Sequence, residues 1–177
     1  MKILICYDTR YGSTKKICQY IKMGMANNAS IKNISDVSSF DYDLMIIGSP
    51  VFIGKPMKSV ESFIINNYEN FRSKKIAIFV TCWAMATKFG SSSVEFLEQL
   101  KKYLPPCNLI CERALPGKLL LDKIHPKDQK TMKRLLRRLD SMSDQFNSQE
   151  IDWRDARDKH AALKFGKDIE EKLMYEL

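Results

Sequence analysis

The chain has 177 residues, of which 45% are hydrophobic, so one domain with a buried core is expected. No apolar run reaches the ~18 residues of a membrane-spanning helix, and the apolar N-terminus is too short for a signal peptide. The net charge is +8; five scattered cysteines favour a reducing cytoplasm, and two histidines allow no metal-ligand cluster.

Short apolar runs alternate with amphipathic segments along the chain. Strands are predicted at residues 2–8, 30–35, 43–50, 74–82 and 108–115. Helices are predicted at 14–26, from Pro56, after the Ser91–Ser93 cap, and from near Asp152 to about Tyr175. This alternation predicts an α/β protein with a parallel sheet covered on both faces. Such sheets bind ligands beyond the carboxyl ends of their strands, so the loops after predicted strands 1, 3 and 4 are the expected binding positions.

The first of these loops, TRYGST at residues 9–14, leads directly into a predicted helix. A helix N-terminus presents unpaired backbone N–H groups and the positive end of the helix dipole. The hydroxyls of Thr9, Ser13 and Thr14 add donors, and Gly12 permits a tight turn. The loop therefore predicts a phosphate cradle, although it matches neither the Walker A nor the Rossmann pattern. The alternative is an ordinary capped helix start.

Aromatic residues occur in the other two loops. GSPVFIG at 48–54 places Phe52 between two glycines, and TCWAM at 81–85 places Trp83 at the end of predicted strand 4. A flat aromatic ligand needs such surfaces, together with backbone groups that hydrogen-bond its edge. Each aromatic taken alone is equally compatible with a place in the core, but three loops that converge on one edge favour a ligand site.

These residues also form a family resemblance. TRYGST resembles the flavodoxin phosphate loop, T-x-T-G-x-T, and departs from it only at Tyr11. GSPVFIG is similar to the flavodoxin loop after strand 3. The resemblance covers roughly residues 1–115 and the last helix. It implies a doubly wound, five-stranded parallel sheet in the order 2-1-3-4-5 that binds FMN. A receiver domain has the same topology but needs an aspartate at the end of strand 3, where this chain has Gly48-Ser49.

The resemblance also implies which residues bind the cofactor. The first loop would hold the FMN phosphate, the second would flank the flavin ring, and the third would cover its other side. The implied residues are Thr9, Arg10, Tyr11, Gly12, Ser13 and Thr14; Ser49, Pro50, Val51, Phe52, Ile53 and Gly54; and Thr81, Cys82 and Trp83. The flavin itself would supply the chemistry, so no catalytic side chain and no metal are implied.

The positive charge is concentrated after the fifth predicted strand. Residues 118–138 contain 8 basic and 2 acidic residues, whereas residues 139–177 contain 6 basic and 10 acidic ones. Within this block, Met132, Leu135, Leu136, Leu139 and Met142 fall at helical spacing, with Lys133, Arg134, Arg137 and Arg138 opposite. A basic amphipathic helix is typical of a surface for anionic membranes, acidic partners or anionic substrates, and residues 118–142 are predicted to form such a basic surface. The alternative is a core helix with a solvated charged face. The lack of interleaved aromatics argues against nucleic acid.

A basic insertion at about 118–146, followed by Asp152-Trp153, resembles the flavodoxin-like protoporphyrinogen oxidases that pass electrons to quinone. That resemblance implies a single-domain FMN enzyme of heme biosynthesis, cytoplasmic or peripheral at the inner face of the membrane. It would pass hydrogens from a porphyrinogen to menaquinone. Two alternatives remain: a non-catalytic electron carrier with a protein redox partner, and an NAD(P)H-dependent quinone reductase. The sequence does not indicate the oligomeric state.

Overall fold

The polypeptide forms strands and helices that include all five predicted strands in their predicted places along the chain. The structure is a computed structural model, and it describes residues 1–82, 85, 93–118, 125, 126, 128–130, 134 and 157–175. The strands are β1 (Ile3–Tyr7), β2 (Ala29–Asn33), β3 (Leu44–Phe52), β4 (Lys55–Pro56), β5 (Lys75–Cys82) and β6 (Asn108–Pro116). The helices are α1 (Ser13–Gly24), α2 (Lys58–Asn66), α3 (Tyr68–Phe71), α4 (Ser93–Lys101) and α5 (Lys159–Tyr175).

Five of the strands form one parallel sheet in the order β2-β1-β3-β5-β6. The predicted doubly wound topology is therefore confirmed, since these are the first to fifth predicted strands in the order 2-1-3-4-5. The two-residue strand β4 was not predicted and pairs antiparallel with the end of β3. Because the order reverses between β1 and β3, the carboxyl ends of these two strands flank the switch point at which such sheets bind ligands.

Hydrophobic residues cover both faces of the sheet, as expected for a buried parallel sheet. Alternate residues of each central strand point to opposite faces. Ile3, Ile5 and Tyr7 of β1 pack in a core with α1 and α5, whereas Leu4 and Cys6 pack in a core with α2, α3 and α4. All five residues of β1 are buried. This rigid centre fixes the position of the loop that follows Tyr7.

Two predicted helix starts are wrong. Pro56 lies in β4 and not in a helix, because residues 51–56 form a hairpin, and α2 begins only at Lys58. The last helix does not run unbroken from near Asp152, because Arg157 and Asp158 are not helical. Asp158 caps α5: its Oδ1 accepts a hydrogen bond of 3.0 Å from the Ala161 N–H. Asp152, Trp153 and most of 118–146 lie outside the described residues.

The first and last helices pack closely through two glycines. A Cβ atom built on Gly24 would lie 2.1 Å from the Leu163 carbonyl oxygen, and one on Gly166 would lie 2.3 Å from the Ile21 carbonyl oxygen. Since both neighbours are backbone atoms, neither glycine can gain a side chain without separating the helices. Among the described residues, no helix is long and apolar enough to cross a membrane.

Candidate functional site

The loop between β1 and α1 is shaped by hydrogen bonds within its own length. The Asp8 carboxylate accepts the Thr9 N–H at 2.6 Å, and the Thr9 hydroxyl oxygen accepts the Gly12 N–H at 2.9 Å. Gly12 has φ +86°, a left-handed conformation that an L side chain rarely adopts. The sequence prediction of a tight turn at Gly12 is therefore confirmed.

This loop contains several backbone donors without a partner among the described residues. In the described part of the chain, no hydrogen bond uses the N–H groups of Arg10, Tyr11, Ser13, Thr14 or Lys15. No side chain caps α1, and its first turn contains no acidic residue. A Cβ atom on Gly12 would meet nothing within 4 Å, so an incoming group can approach the backbone here. Unpaired N–H groups and the positive end of a helix dipole together favour an anion.

The three hydroxyls of the loop have different surroundings. Ser13 Oγ accepts a hydrogen bond of 2.9 Å from the Lys118 N–H, and Thr9 Oγ1 accepts one from Gly12, so both hydroxyl protons stay available to a ligand. Thr14 is fully buried and its Oγ1 lies 2.9 Å from Oγ1 of Thr81, which is also buried. The Thr14–Thr81 pair therefore joins α1 to β5 beneath the loop.

We expect either single change, Thr14→Val or Thr81→Val, to lower the free energy of unfolding by about 1–3 kcal/mol, because the remaining buried hydroxyl loses its partner. The double variant should be less destabilised than the sum of the two, since it leaves no unpaired hydroxyl. Urea denaturation of the four proteins measures this coupling. Strictly additive losses would show that the two hydroxyls do not depend on each other.

A hairpin with a two-residue turn ends β3 beside the loop at residues 9–14, and the space between this hairpin and the loop is here called the cleft. Val51 pairs with Pro56 and Phe52 with Lys55, which leaves Ile53 and Gly54 as the turn. Both turn residues have positive φ, 51° and 76°, as in the turns that join twisted antiparallel strands. Ile53 is β-branched and 54% exposed, so its strained backbone is not offset by burial of its side chain.

Arg10 crosses the cleft between the loop and the hairpin. Its guanidinium carbon lies 4.1 Å from the centroid of the Phe52 ring, a cation–π contact. The same guanidinium forms an ion pair with Asp128, and its Nε donates to the Tyr11 hydroxyl at 3.4 Å. The hydrogen bond to Tyr11, together with Asp128, raises the pKa of Arg10 above its usual value.

The segment after β6 contacts the loop at three positions. The Lys118 N–H donates to Ser13 Oγ, the His125 N–H donates to the Tyr11 hydroxyl at 3.2 Å, and Asp128 pairs with Arg10. Asp128 lies in a helical turn, where its N–H donates to the His125 carbonyl at 2.8 Å. Loops from the carboxyl ends of β1, β3 and β6 thus meet at Arg10.

The other predicted residues occupy less exposed positions. Ser49 is buried, and its hydroxyl accepts the Met57 N–H at 3.0 Å and donates to the Pro50 carbonyl, so it is already used by the protein. Val51 is half-buried in the hairpin, and Cys82 is buried at the end of β5. Trp83 lies outside the described residues, and its stacking role stays a prediction.

Sequence reasoning missed two residues that shape this site, Asp8 and Asp128. Asp8 accepts hydrogen bonds from the Thr9 N–H and from the Ser59 hydroxyl, which ties the loop to α2. Asp128 is the partner of Arg10. The position of Asp8 directly after an apolar strand could have indicated its role, whereas nothing near Asp128 in the sequence relates it to Arg10. No group of three or more potential metal-ligating side chains occurs among the residues that the structure describes.

With this geometry established, comparison with known proteins identifies the family. The family model described as a flavodoxin domain matches residues 4–145. The chain belongs to the flavodoxin domain family. The family resemblance noted in TRYGST and GSPVFIG is therefore confirmed at this level. The finer resemblance to protoporphyrinogen oxidases is not.

Individual relatives of this flavodoxin-domain protein are distant. A curated "Flavodoxin-like domain-containing protein BilS" of Clostridioides difficile (strain CD3) is 29% identical over 115 residues, which span 62% of each protein. A Lactobacillus acidophilus flavoprotein solved in complex with FMN is 18% identical, with TM-score 0.52 over 64% of this chain and 92% of that one. Oxidised flavodoxin 1 of Bacillus cereus is 14% identical, with TM-score 0.53 over 97% and 98%. At these identities the solved structures support the fold alone.

Proposed function

We propose that this flavodoxin-domain protein binds FMN and acts in electron transfer. The observation that supports the proposal most is the loop at residues 9–14, where several unused N–H groups flank Gly12 at the start of α1. A phosphate dianion is the ligand group that such a loop favours. The aromatic ring of Phe52 on the facing hairpin suits the flat part of a flavin.

The residues present fit such a cofactor. The N–H groups of Ser13, Thr14 and Lys15, with the hydroxyls of Thr9 and Ser13, would hold the phosphate, and Arg10 would add a positive charge. The hairpin at 51–56 would flank the ring. A bound flavin supplies one- and two-electron chemistry, while the chain orients it, excludes water and adjusts its potential.

Titration of the purified protein with FMN, FAD and riboflavin tests the cofactor. We expect one FMN per chain, and weaker binding of riboflavin because it lacks the phosphate that the loop would hold. Quenching of flavin fluorescence and a shifted visible spectrum report the bound ring. Absence of binding by all three flavins would overturn the proposal, and a preference for FAD would show that the cleft extends beyond an FMN site.

The finer proposal is an oxidoreductase that takes hydrogens from a porphyrinogen and passes them to menaquinone. It rests on the sequence resemblance of the basic segment and Asp152-Trp153, and on the charge of residues 118–138, which suits porphyrinogen propionates. The same basic segment would dock at an anionic membrane surface, where the quinone resides.

A second candidate function is that of a non-catalytic electron carrier. The match to the flavodoxin domain family favours it, and it requires only an accessible flavin and a docking surface. The third candidate, an NAD(P)H-dependent quinone reductase, would need a nicotinamide site beside the flavin. These functions differ in the electron donor, so the donor is the quantity to measure.

Anaerobic mixing of the FMN-loaded protein with single reductants distinguishes them. Loss of visible flavin absorbance with protoporphyrinogen, followed by its recovery with a menaquinone analogue, supports the oxidase. Rapid loss with NAD(P)H supports the reductase, and loss only with reduced ferredoxin supports the carrier. Salt-sensitive co-sedimentation with anionic but not neutral vesicles would support membrane docking, and binding to neither vesicle would contradict it.

A further inference from the structure

We propose that Asp128 is a specificity-determining residue of the cleft, because its carboxylate competes with the ligand phosphate for the Arg10 guanidinium. The inference rests on the proposed binding of FMN. It concerns a residue of the segment after β6, which the phosphate-loop pattern of the sequence does not include.

The first step is the position of Arg10. It belongs to the loop that presents the unused N–H groups, and its guanidinium carbon lies 4.1 Å from the centroid of the Phe52 ring on the facing hairpin. A single guanidinium therefore contacts both Tyr11 of the loop and the Phe52 ring, against which a flavin would pack. A phosphate bound at the start of α1 would be held by the same loop that carries this positive charge.

The second step is the partner that Arg10 already has. Asp128 pairs with it, and the aspartate side chain is only 15% exposed whereas that of Arg10 is 37% exposed. A guanidinium can bind a carboxylate or a phosphate through the same N–H groups. When both anions compete, a phosphate dianion must either displace Asp128 or remain close to its negative charge. Either case lowers the affinity for phosphate-bearing ligands and leaves ligands without phosphate unaffected.

The third step is the connection of Asp128 to the rest of the segment. The His125 N–H donates to the Tyr11 hydroxyl, and the Asp128 N–H donates to the His125 carbonyl. Release of Arg10 from Asp128 therefore loosens one of two neighbouring links between this segment and the loop. Phosphate binding and the attachment of residues 125–130 are thereby coupled, and the coupling acts equally in both directions.

Calorimetric titration of FMN and riboflavin into the full chain tests the proposal. We expect Asp128→Asn to tighten FMN about fivefold, the factor that corresponds to the ~1 kcal/mol upper value for an exposed ion pair, and to leave riboflavin unchanged. Asp36→Asn is the matched control: this exposed carboxylate follows β2 at the same edge of the sheet, and its removal changes the net charge equally. In an Arg10→Gln background, Asp128→Asn should tighten FMN no more than Asp36→Asn does.

A second measurement needs no change to Asp128. The Arg10 Nε–H resonance, assigned by its loss in Arg10→Gln, should shift more when the wild-type protein is saturated with FMN than with riboflavin, since only FMN brings a phosphate to the guanidinium. Three results would each contradict the competition between Asp128 and the phosphate: unchanged or weaker FMN binding in Asp128→Asn, equal gains for both flavins, or equal shifts of the resonance with both flavins. If the wild type binds no flavin, the proposed function fails, and this inference fails with it. Normal flavin binding with no effect of Asp128 removes this inference alone.

Discussion

Replacing Gly166 by alanine is expected to lower the free energy of unfolding by about 1–3 kcal/mol, the usual cost of overpacking a tight core. The added Cβ would lie 2.3 Å from the Ile21 carbonyl oxygen on α1, and 3.2 Å from Cγ of Met25. The carbonyl belongs to the backbone, so relief requires the two helices to move apart. In an isolated helix the same change would be stabilising by about 1 kcal/mol, because alanine has the higher helix propensity. The sign of the effect therefore tests the close crossing itself.

Gly24→Ala should act in the same way from the other helix, since its Cβ would lie 2.1 Å from the Leu163 carbonyl oxygen. Lys167→Ala is a suitable control, because Lys167 is the exposed neighbour of Gly166 on α5. Denaturant unfolding, followed by far-UV circular dichroism, measures all three. If Gly166→Ala were neutral or stabilising, the helices would have room to spare and the crossing would be looser than the structure shows.

Gly12→Ala is expected to weaken FMN by at least about tenfold, which corresponds to about 1.4 kcal/mol and is close to the value of a single hydrogen bond to a charged group. Riboflavin should lose much less. Gly12 has φ +86°, and a methyl group there would project into the open space that the phosphate would use. The left-handed backbone adds a cost of roughly 1–2 kcal/mol to folding.

Gly54→Ala separates these two effects. Gly54 also has positive φ, 76°, and its Cβ would likewise meet nothing within 4 Å, but it lies in the hairpin and not in the loop at 9–14. Both variants should lose similar stability in the absence of ligand, whereas only Gly12→Ala should reduce the preference for FMN over riboflavin. Equal losses of that preference would show that strain, and not contact with phosphate, determines binding.

The positions of the binding loops could be predicted from local sequence alone. A strand is recognised by a short apolar run and a helix by the periodicity of its apolar residues. Each of these signals is contained in one short stretch of sequence. TRYGST follows β1, and GSPVFIG covers the end of β3 and the hairpin turn beyond it, so the place of both at the carboxyl edge followed from the predicted strands. Local signals also explain the errors. Proline is common at helix starts, which is why a helix was expected from Pro56. Pro56 instead lies in β4, because this strand pairs with the end of β3.

The roles of individual residues in those loops were less predictable. Ser49 was assigned to the ring by its position, yet its hydroxyl is used by Met57 and Pro50. Ile53 adopts a left-handed backbone that β-branched residues seldom occupy, so propensity argues against the turn that forms there. In both cases the pairing of β3 with β4 determines which groups surround the residue, and these groups determine its conformation and hydrogen bonds.

The sequence by itself predicted the alternation of strands and helices and the loop at residues 9–14 that leads into the first helix, and its resemblance to flavodoxins implied the strand order and the doubly wound topology. Only the tertiary structure decided that Thr14 pairs with Thr81 across 67 residues, that Arg10 pairs with Asp128 across 118, and that Gly24 and Gly166 lie at one helix crossing. The physical reason is the range of the interactions involved. Secondary structure depends on hydrogen bonds and side-chain periodicity over one or two turns, whereas these contacts exist only once separate elements have docked on the same sheet.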